Sequence, residues 1–239
     1  IGFCLVGSEM CIRDSNEIIQ KKSSSQNFAL LTNLTNGNSE IFEFGKLLSF
    51  DFENYKKQIE NYHSLKKNGV IDGTQIFIQN FTKPIEVIIV GAVHIAQYLV
   101  DLFKNLNFVI TIVDPRKFFI TDERFPNVKI INDWPEEIFK KLETGSNNAL
   151  ITLTHDPKID DPALKHALKN KFFYIGALGS KKTHTKRCQR LNESGFTEEE
   201  IASIHGPIGI KLGGKSGPEI ALSIVSQLVL ESNLSLIHI

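Results

Sequence analysis

The sequence has no long hydrophobic run and no excess of charge of either sign. Basic and acidic side chains number 27 each, so the formal net charge is zero. A neutral chain exerts no global attraction on nucleic acid or on an anionic lipid surface. No uninterrupted apolar run reaches the roughly 18 residues that a membrane-spanning helix requires. The composition therefore predicts neither a nucleic-acid partner nor a membrane partner.

Cysteine is scarce, and two of the three cysteines lie close to the start of the chain. The opening IGFCLVGSEMCIRDS and the closing LSLIHI resemble translated adaptor read-through in metagenomic reading frames. We therefore expect residues 1–15 to be a non-native leader and residues 233–239 a non-native tail. Cys188 then stands alone, which excludes an internal disulfide, and without a CxxC pair no metal site is predicted. A reducing cytoplasm is the expected compartment.

Residues 16–83 have the pattern of a small, incomplete α+β domain. FALLTNL (28–34) and EIFEF (40–44) flank the turn residues Asn36-Gly37, which is typical of a hairpin. Apolar residues from Phe52 to Tyr62 recur at helical spacing, and TQIFIQ (74–79) alternates like a strand. The segment FTKP (81–84) places the domain boundary at residues 83 and 84.

From residue 84 to 232 the pattern alternates between strands and helices. Helices are predicted from His94, from Pro135, from Asp161-Pro162, after the capping box Thr197–Glu200, and near Pro218. Apolar strands connected by helices form parallel sheets covered on both faces. The predicted fold is a Rossmann-like parallel α/β sheet with helices on both faces. Its strands are EVIIV (86–90), FVITIV (108–113), VKII (128–131), ALITL (149–153) and FFYIG (172–176).

Ligands of such sheets bind beyond the carboxyl ends of the strands, where the strand order reverses. With the usual order 3-2-1-4-5, that crevice lies between the first and fourth strands. Polar and glycine residues follow each strand that borders it. They are Gly91, Ala92, Val93 and His94 after the first strand, Asp114 and Arg116 after the second, His155 and Asp156 after the fourth, and Gly176, Gly179, Ser180 and Lys181 at the fifth.

The turn after the first strand has two interpretations. Gly91 permits a tight strand-to-helix turn, and free amides at a helix start attract phosphate. Val93, however, stands where dinucleotide-binding turns carry a second glycine, and its branched side chain blocks part of the space for a pyrophosphate. The turn is therefore either a phosphate contact or a tight packing turn. Asp114 lies near the ~20-residue offset of a ribose-binding acid, or forms a turn before Pro115, and Arg116 meets a phosphate or is solvated.

The turn after the fourth strand contains His155-Asp156. Neighbouring residues of an extended chain point to opposite sides, so these two do not relay a proton merely by adjacency. His155 is the better site candidate, whereas Asp156 before Pro157 is typical of a turn.

GALGSKKTHTKR (176–187) brings glycines near the cleft, and Ser180 is predicted to cap the following helix. Lys181 and Lys182 then occupy the first turn, where the helix dipole disfavours cations, which indicates an anionic ligand. The alternative is an exposed basic helix with Lys186, Arg187 and Arg190 as its solvated face. Cys188 is interpreted as a structural thiol rather than a nucleophile.

Seven segments together resemble the C-terminal domain of the XdhC/CoxI family, the accessory factors of xanthine dehydrogenase and carbon monoxide dehydrogenase. The resemblance covers about residues 76–230. Gly91, His94, Asp114, His155, Gly179 and Ser180 match motif positions of the family. The chain departs from the family at Val93, which replaces the glycine of the commoner GAGH form, and a family cysteine segment of GGC type is not found. The segments are VIIVGAVHIAQ, VDPR, DERFP, TLTHDPKIDDPAL, YIGALGSKKTH, IHGPIGI and PEIALSI.

The resemblance implies a maturation factor more than an enzyme, and no catalytic residue is assigned. Such proteins bind the molybdenum cofactor (molybdopterin), protect it during sulfuration, and hand it to the apo-hydroxylase. A xanthine dehydrogenase-type molybdenum hydroxylase is the expected partner, with a cysteine desulfurase and a second copy of the chain as further candidates. One alternative is an NAD(P)-dependent oxidoreductase, which Gly91 and Asp114 favour and Val93 opposes. The other is a nucleotide-gated interaction module that docks through the basic helix.

Overall fold

A computed structural model describes residues 18–21, 27–81, 84–106 and 108–234. The predicted leader lies outside these residues, and so does the predicted tail beyond residue 234. The described residues divide into two compact units, one up to residue 81 and one from residue 84. No helix within the described ranges combines the length and the apolar character that a membrane crossing requires.

The first unit contains an antiparallel sheet and short helices. The predicted hairpin is present, because β1 (Phe28–Asn33) pairs antiparallel with β2 (Ser39–Phe42), and Leu31 lies opposite Glu40. The strand predicted near residue 76 is β4 (Ile76–Phe81), which pairs with β1 on its other side and with β3 (Gly69–Val70), so the order is β2-β1-β4-β3. The α+β character of this segment is confirmed. Its elements are β1 (Phe28–Asn33), β2 (Ser39–Phe42), α1 (Phe50–Glu53), α2 (Lys56–Ser64), β3 (Gly69–Val70) and β4 (Ile76–Phe81).

The second unit alternates strands and helices as predicted. Its elements are β5 (Ile85–Val90), α3 (His94–Phe103), β6 (Phe108–Val113), β7 (Lys129–Ile131), α4 (Pro135–Ile138), β8 (Asn148–Thr152), α5 (Pro157–Lys169), β9 (Tyr174–Ala177), α6 (Lys181–Glu193), α7 (Glu198–Ala202), β10 (Ile204–His205) and α8 (Gly217–Leu234). The strands form one six-stranded sheet in the order β10-β9-β8-β5-β6-β7, and the pairs are parallel. Counted from β5, the first five strands have the predicted order 3-2-1-4-5.

Helices cover both faces of this sheet, because alternate residues of each central strand point to opposite sides. Val87 and Ile89 of β5 belong to a core shared with α3 and α8. Ile88 and Val90 belong to a second core, shared with α5, α6 and α7. All four side chains are fully buried. The near-continuous apolar sequence of β5 therefore reflects burial on both faces, as expected for a parallel sheet.

Two local features differ from the prediction. The helix predicted at Asp161-Pro162 begins instead at Pro157, with Asp156 as its N-cap, and Pro162 lies inside it. The Asp156-Pro157 pair has the same cap-then-proline signal and comes first in the chain. The sequence pattern predicts five strands, whereas Ile204 and His205 pair with β9 as a sixth strand.

Candidate functional site

The parallel register brings the carboxyl ends of four strands to one level. Val90, the last residue of β5, lies opposite Val113 of β6 and Thr152 of β8, and Thr152 lies opposite Ala177 of β9. The ladder continues one residue further, since the amides of Gly91, Leu153 and Leu178 donate to carbonyl groups of neighbouring strands. The segments that follow these strands therefore start side by side at a single edge of the sheet.

Two glycines allow these segments to approach each other closely. Gly91 has φ +111°, and a Cβ atom there would lie 2.6 Å from Cγ2 of Thr154. Gly179 has φ +143°, and its Cβ would lie 3.5 Å from Nδ1 of His155 and 3.2 Å from Thr183. Both positions favour glycine because of their backbone conformation, and at Gly91 the close approach of Thr154 also leaves no room for a Cβ atom. The structure thus brings together the turns at 91–94, 154–157 and 178–183.

The Gly91 turn is closed by an internal carboxylate. The Ala92 amide donates to Oδ2 of Asp114 over 2.7 Å, and Asp114 is fully buried. Arg116 contributes its backbone amide and Nε to Oδ1 of Asp114, and Nη2 to Oδ2. The carboxylate therefore accepts the hydrogen bond of an amide that would otherwise be available to a phosphate. This contact favours the tight-turn interpretation of the Gly91 segment over the phosphate interpretation.

The same hydrogen bonds argue against a ribose-binding role for Asp114. A carboxylate offers about four acceptor positions, and four donors from Ala92 and Arg116 already occupy them. Burial opposes ionisation most strongly, but the hydrogen bonds and the charge of Arg116 outweigh it, so the pKa of Asp114 is lowered. Asp114 is thus an ionised structural residue. Arg116 is its partner and also stacks on Phe119.

Arg124 fixes the loop between β6 and β7 against the same turn. Its Nη1 donates to the carbonyl groups of Ala92 and Phe119, and its Nη2 donates to Gln97 of α3. Val93 is the N-cap of α3 and uses no side-chain hydrogen bond. His94, at the first position of α3, is exposed, and its Nε2 lies 2.9 Å from the hydroxyl of Tyr98.

The turn after β8 is organised by a buried aspartate that was not among the predicted site residues. Asp160 is only 2% exposed and accepts hydrogen bonds from the Thr154 hydroxyl (2.6 Å) and the His155 amide (3.0 Å). These bonds hold His155 at φ +61°, with its side chain exposed. Burial raises the pKa of Asp160, although these hydrogen bonds and the charge of Arg187 oppose the shift. Asp156 faces solvent and caps α5 through the Lys158 amide.

Arg187, on α6, is the largest fully buried side chain, with 2% exposure. Its Nη2 donates to the Leu178 carbonyl over 2.8 Å, and its Nη1 lies 3.4 Å from Nδ1 of His184. Its Nε has no hydrogen-bond partner among the described residues. Burial lowers the pKa of Arg187, while the charges of Asp160 and Asp161 act in the opposite sense.

The burial of Arg187 corrects the expected solvated basic face. Arg187 is inside the protein, and Arg190 forms a bidentate ion pair with Asp161 of α5, at 2.6 and 2.9 Å. Of the three residues predicted for that face, Lys186 alone is exposed without a partner in the described structure.

A cavity of about 230 Å³ lies between the β8–α5 turn and α6. His155, one of the predicted site residues, lines this cavity, but most of the charged residues on its wall belong to α6. Basic side chains outnumber the single carboxylate on its wall. The lining residues are His155, Pro157, Asp160, Lys182, Thr183, Lys186, Arg187 and Arg190.

The remaining predicted residues have other surroundings. Ser180 is confirmed as the N-cap of α6, since its hydroxyl accepts from the Thr183 amide. Lys181 is exposed and does not line the cavity. Gly176 lies within β9, where a Cβ atom would collide with Ile208 at 2.3 Å, so it makes room for core packing. Within the described ranges, no group of His, Cys, Asp and Glu side chains is arranged to hold a metal ion.

Sequence reasoning missed the roles of three residues, Arg124, Asp160 and Arg187. Asp160 and Arg124 lie inside the motif segments THDPKIDD and DERFP, so a motif signal for them existed. Arg187 lies in KKTHTKRCQR, where alternating basic and polar residues give no sign of burial.

Comparisons with known proteins agree with this architecture. A family model described as the XdhC Rossmann domain matches residues 87–228. The molybdenum cofactor insertion chaperone PaoD of Escherichia coli (strain K12) is 37% identical over 98 residues, covering 41% of this chain and 30% of that protein. A probable xanthine dehydrogenase subunit of Bacillus subtilis (strain 168) is 26% identical over 157 residues, covering 65% of this chain and 46% of that protein.

A solved structure shares the fold. The crystal structure of a xanthine dehydrogenase from Bacillus halodurans matches with a TM-score of 0.67 and 21% sequence identity, covering 89% of this chain and 62% of that one. The chain spans less than half the length of each of these two curated relatives. Because the family model covers more than half of the chain, and the sheet has the strand order of the fold, the protein belongs to the XdhC family.

Proposed function

We propose that this protein is a maturation factor that binds the molybdenum cofactor and delivers it to a molybdenum hydroxylase of the xanthine dehydrogenase type. The observation that carries the proposal is the basic cavity at the carboxyl edge of the sheet, within a region that matches an XdhC Rossmann domain. The similarity to a relative named as a molybdenum cofactor insertion chaperone gives the ligand class.

The residues at the edge fit an anionic cofactor. The wall of the cavity carries the exposed Lys182 and Lys186 and the buried Arg187, whose Nε lacks a partner among the described residues. Molybdopterin bears a phosphate and supplies the dithiolene that holds molybdenum, so the role of the protein is to bind and shield it. We propose sulfuration of the bound cofactor, with a cysteine desulfurase as the sulfur donor, and docking to the hydroxylase in a reducing cytoplasm as parts of the same role.

An NAD(P)-dependent reaction has less support. A ribose hydroxyl would need a free acceptor on Asp114, and the donors of Ala92 and Arg116 fill those positions. The second glycine that normally admits a pyrophosphate is Val93.

The test is equilibrium binding of purified molybdenum cofactor to the protein under anaerobic conditions, followed by transfer to an apo-hydroxylase. We expect the cofactor to co-elute with the protein and the loaded protein to activate the apo-hydroxylase faster than free cofactor does. NADH, titrated in parallel, is expected not to bind. Absence of cofactor binding at micromolar protein, or tight NADH binding that Asp114→Ala abolishes, would overturn the proposal.

A further inference from the structure

The cavity beside α6 is too small for a whole cofactor. Pockets that enclose small molecules usually measure about 300–1,000 Å³, whereas this one measures about 230 Å³. It suits one polar group of a larger ligand. The chemistry of its walls shows which group.

The first indication is the incomplete pairing of Arg187. A guanidinium has five N–H donors, and in the described structure Arg187 directs one to Leu178 and one toward His184, while Nε has no partner. Buried charges are normally paired and hydrogen-bonded, because an unpaired one costs several kcal/mol. No carboxylate among the described residues forms an ion pair with Arg187. An anion in the cavity that Arg187 lines would add a negative charge beside this incompletely hydrogen-bonded guanidinium, in addition to the nearby Asp160 and Asp161.

The second indication is the placement of two lysines. Lys182 and Lys186 are four residues apart, so they lie on one face of α6. Both line the cavity, both are exposed, and neither has a partner among the described residues. Lys182 also lies in the first turn of a 13-residue helix, where a cation is unfavourable unless an anion is close.

The other charged groups on the wall leave this role open. Arg190 is engaged by Asp161. Both oxygens of Asp160 accept hydrogen bonds, one from Thr154 and one from His155, so Asp160 gives Arg187 a nearby charge but no hydrogen bond in the described structure. Thr183, whose hydroxyl contacts Ser180, lies on the same wall.

We propose that this cavity is an oxyanion subsite that takes the phosphate monoester of the ligand, with Arg187, Lys182 and Lys186 as its charge partners. For the identity of the ligand, the inference rests on the proposed function. We therefore place the phosphate contact at the start of α6. At the Gly91 turn, the Ala92 amide already donates its hydrogen bond to Asp114.

The probe is inorganic phosphate, titrated by calorimetry at low ionic strength. We expect the unmodified protein to bind it, and Lys182→Ala/Lys186→Ala to weaken binding by about tenfold or more, since a hydrogen bond to a charged group contributes that much. The matched control is Lys169→Ala/Lys215→Ala, which removes the same charge from two exposed lysines outside the cavity. The control is expected to stay within about twofold of the unmodified protein because long-range charge effects are screened.

Arg187 is tested with a variant that keeps its charge. Arg187→Lys retains a cation but loses the planar fork, and circular dichroism establishes that the variant is folded. We expect a loss of phosphate affinity of about tenfold. Should Arg187→Lys not fold, the double lysine variant decides alone, because both lysines are at the surface. Phosphate binding that is absent in the unmodified protein, or unchanged in the double lysine variant, would overturn the subsite.

A parallel titration with molybdenum cofactor separates this inference from the proposed function. Weakened binding of both phosphate and cofactor by the double lysine variant supports both proposals. Phosphate binding without any cofactor binding keeps the anion site and removes the proposed function. Cofactor binding that is undiminished in the double lysine variant keeps the proposed function and removes the subsite.

Discussion

At the scale of single residues, two buried charges at the edge of the sheet differ in how completely they are partnered. The two carboxylate oxygens of Asp114 accept four hydrogen bonds, one from the Ala92 amide and three from Arg116. Arg187 is equally buried but leaves Nε without a partner in the described structure. Removing a partner from a saturated buried charge is destabilising, whereas an unsaturated buried charge can still accept a partner from a ligand. The comparison therefore separates a structural residue, Asp114, from Arg187, which we propose binds a ligand.

The structural role of Asp114 makes a pH-dependent prediction. Asp114→Asn removes charge-assisted hydrogen bonds, and we expect it to lower the free energy of unfolding by about 2 kcal/mol at pH 7. The pKa of Asp114 is lowered in the folded protein. Its contribution is therefore complete above the unfolded pKa of about 3.9 and is lost as the pH falls through the lower folded value. Urea unfolding followed by Trp134 fluorescence measures the difference between pH 7 and pH 3.

The control for this variant is Asp122→Asn, which alters an exposed carboxylate in the loop that follows. Its effect is expected to stay within about 0.5 kcal/mol at every pH. A difference between Asp114→Asn and the unmodified protein that keeps its full size at pH 3 would contradict the linkage.

At the scale of elements, the sequence predicts what depends on local pattern. The central strands β5 and β8 are apolar and buried on both faces, so they can be recognised as strands from the sequence alone. The start of α5 was misplaced because Asp156-Pro157 and Asp161-Pro162 carry the same signal. Tertiary structure decides between them, since Asp161 pairs with Arg190 on another helix. The two-residue β10 is too short to have a period.

A smaller part of the candidate site than of the strands and helices could be predicted from the sequence. The proximity of the turns follows from strand order, since Gly91 approaches Thr154 and Gly179 approaches His155. The burial of Arg187 does not follow from its neighbours, because its partner Leu178 and the nearby Asp160 come from other elements. A charged side chain enters the interior when the fold supplies acceptors that local sequence does not show.

The capping box of α7 gives a prediction for a single element. The Thr197 side chain accepts from the Glu200 amide, and Glu200 reaches back to the Thr197 amide. The helix has five residues and places Ile201 in the core, so the cap helps to fix the position at which the helix begins. We expect Thr197→Ala to reduce the free energy of unfolding by about 1 kcal/mol and to speed amide exchange in α7. Thr197→Ser, which keeps the hydroxyl, should restore most of both.

Glu199→Ala is the matched control for the capping box. Glu199 is exposed in the same turn and makes no capping bond in the described structure. Its expected effect lies within about 0.5 kcal/mol. Equal destabilisation by Glu199→Ala and Thr197→Ala would mean that the loss of stability is not specific to the capping box.

At the scale of the whole molecule, the described residues contain separate hydrophobic cores. One cluster is built entirely from the first unit and includes Ile78. Two further clusters are built entirely from the second unit, and Ile151 belongs to one of them. A substitution in one core is therefore expected to lower the local stability of that unit only, because it removes contacts from that core alone. The cavity and its cationic residues lie in the second unit, which matches the family model.

This separation predicts independent responses to two core substitutions in the intact chain. Ile78→Ala creates a cavity in the first core and should cost about 2–5 kcal/mol there. Amide exchange is expected to accelerate in β1 and β4 and to stay unchanged in β5 and β8. The unfolding transition followed by the fluorescence of Trp134, the only tryptophan and a residue of the second unit, is also expected to stay unchanged. Ile151→Ala should give the reverse pattern. If Ile78→Ala destabilised β5 and β8 as much as β1 and β4, the two units would unfold as one cooperative structure, and phosphate binding beside α6 would then depend on the first core as well.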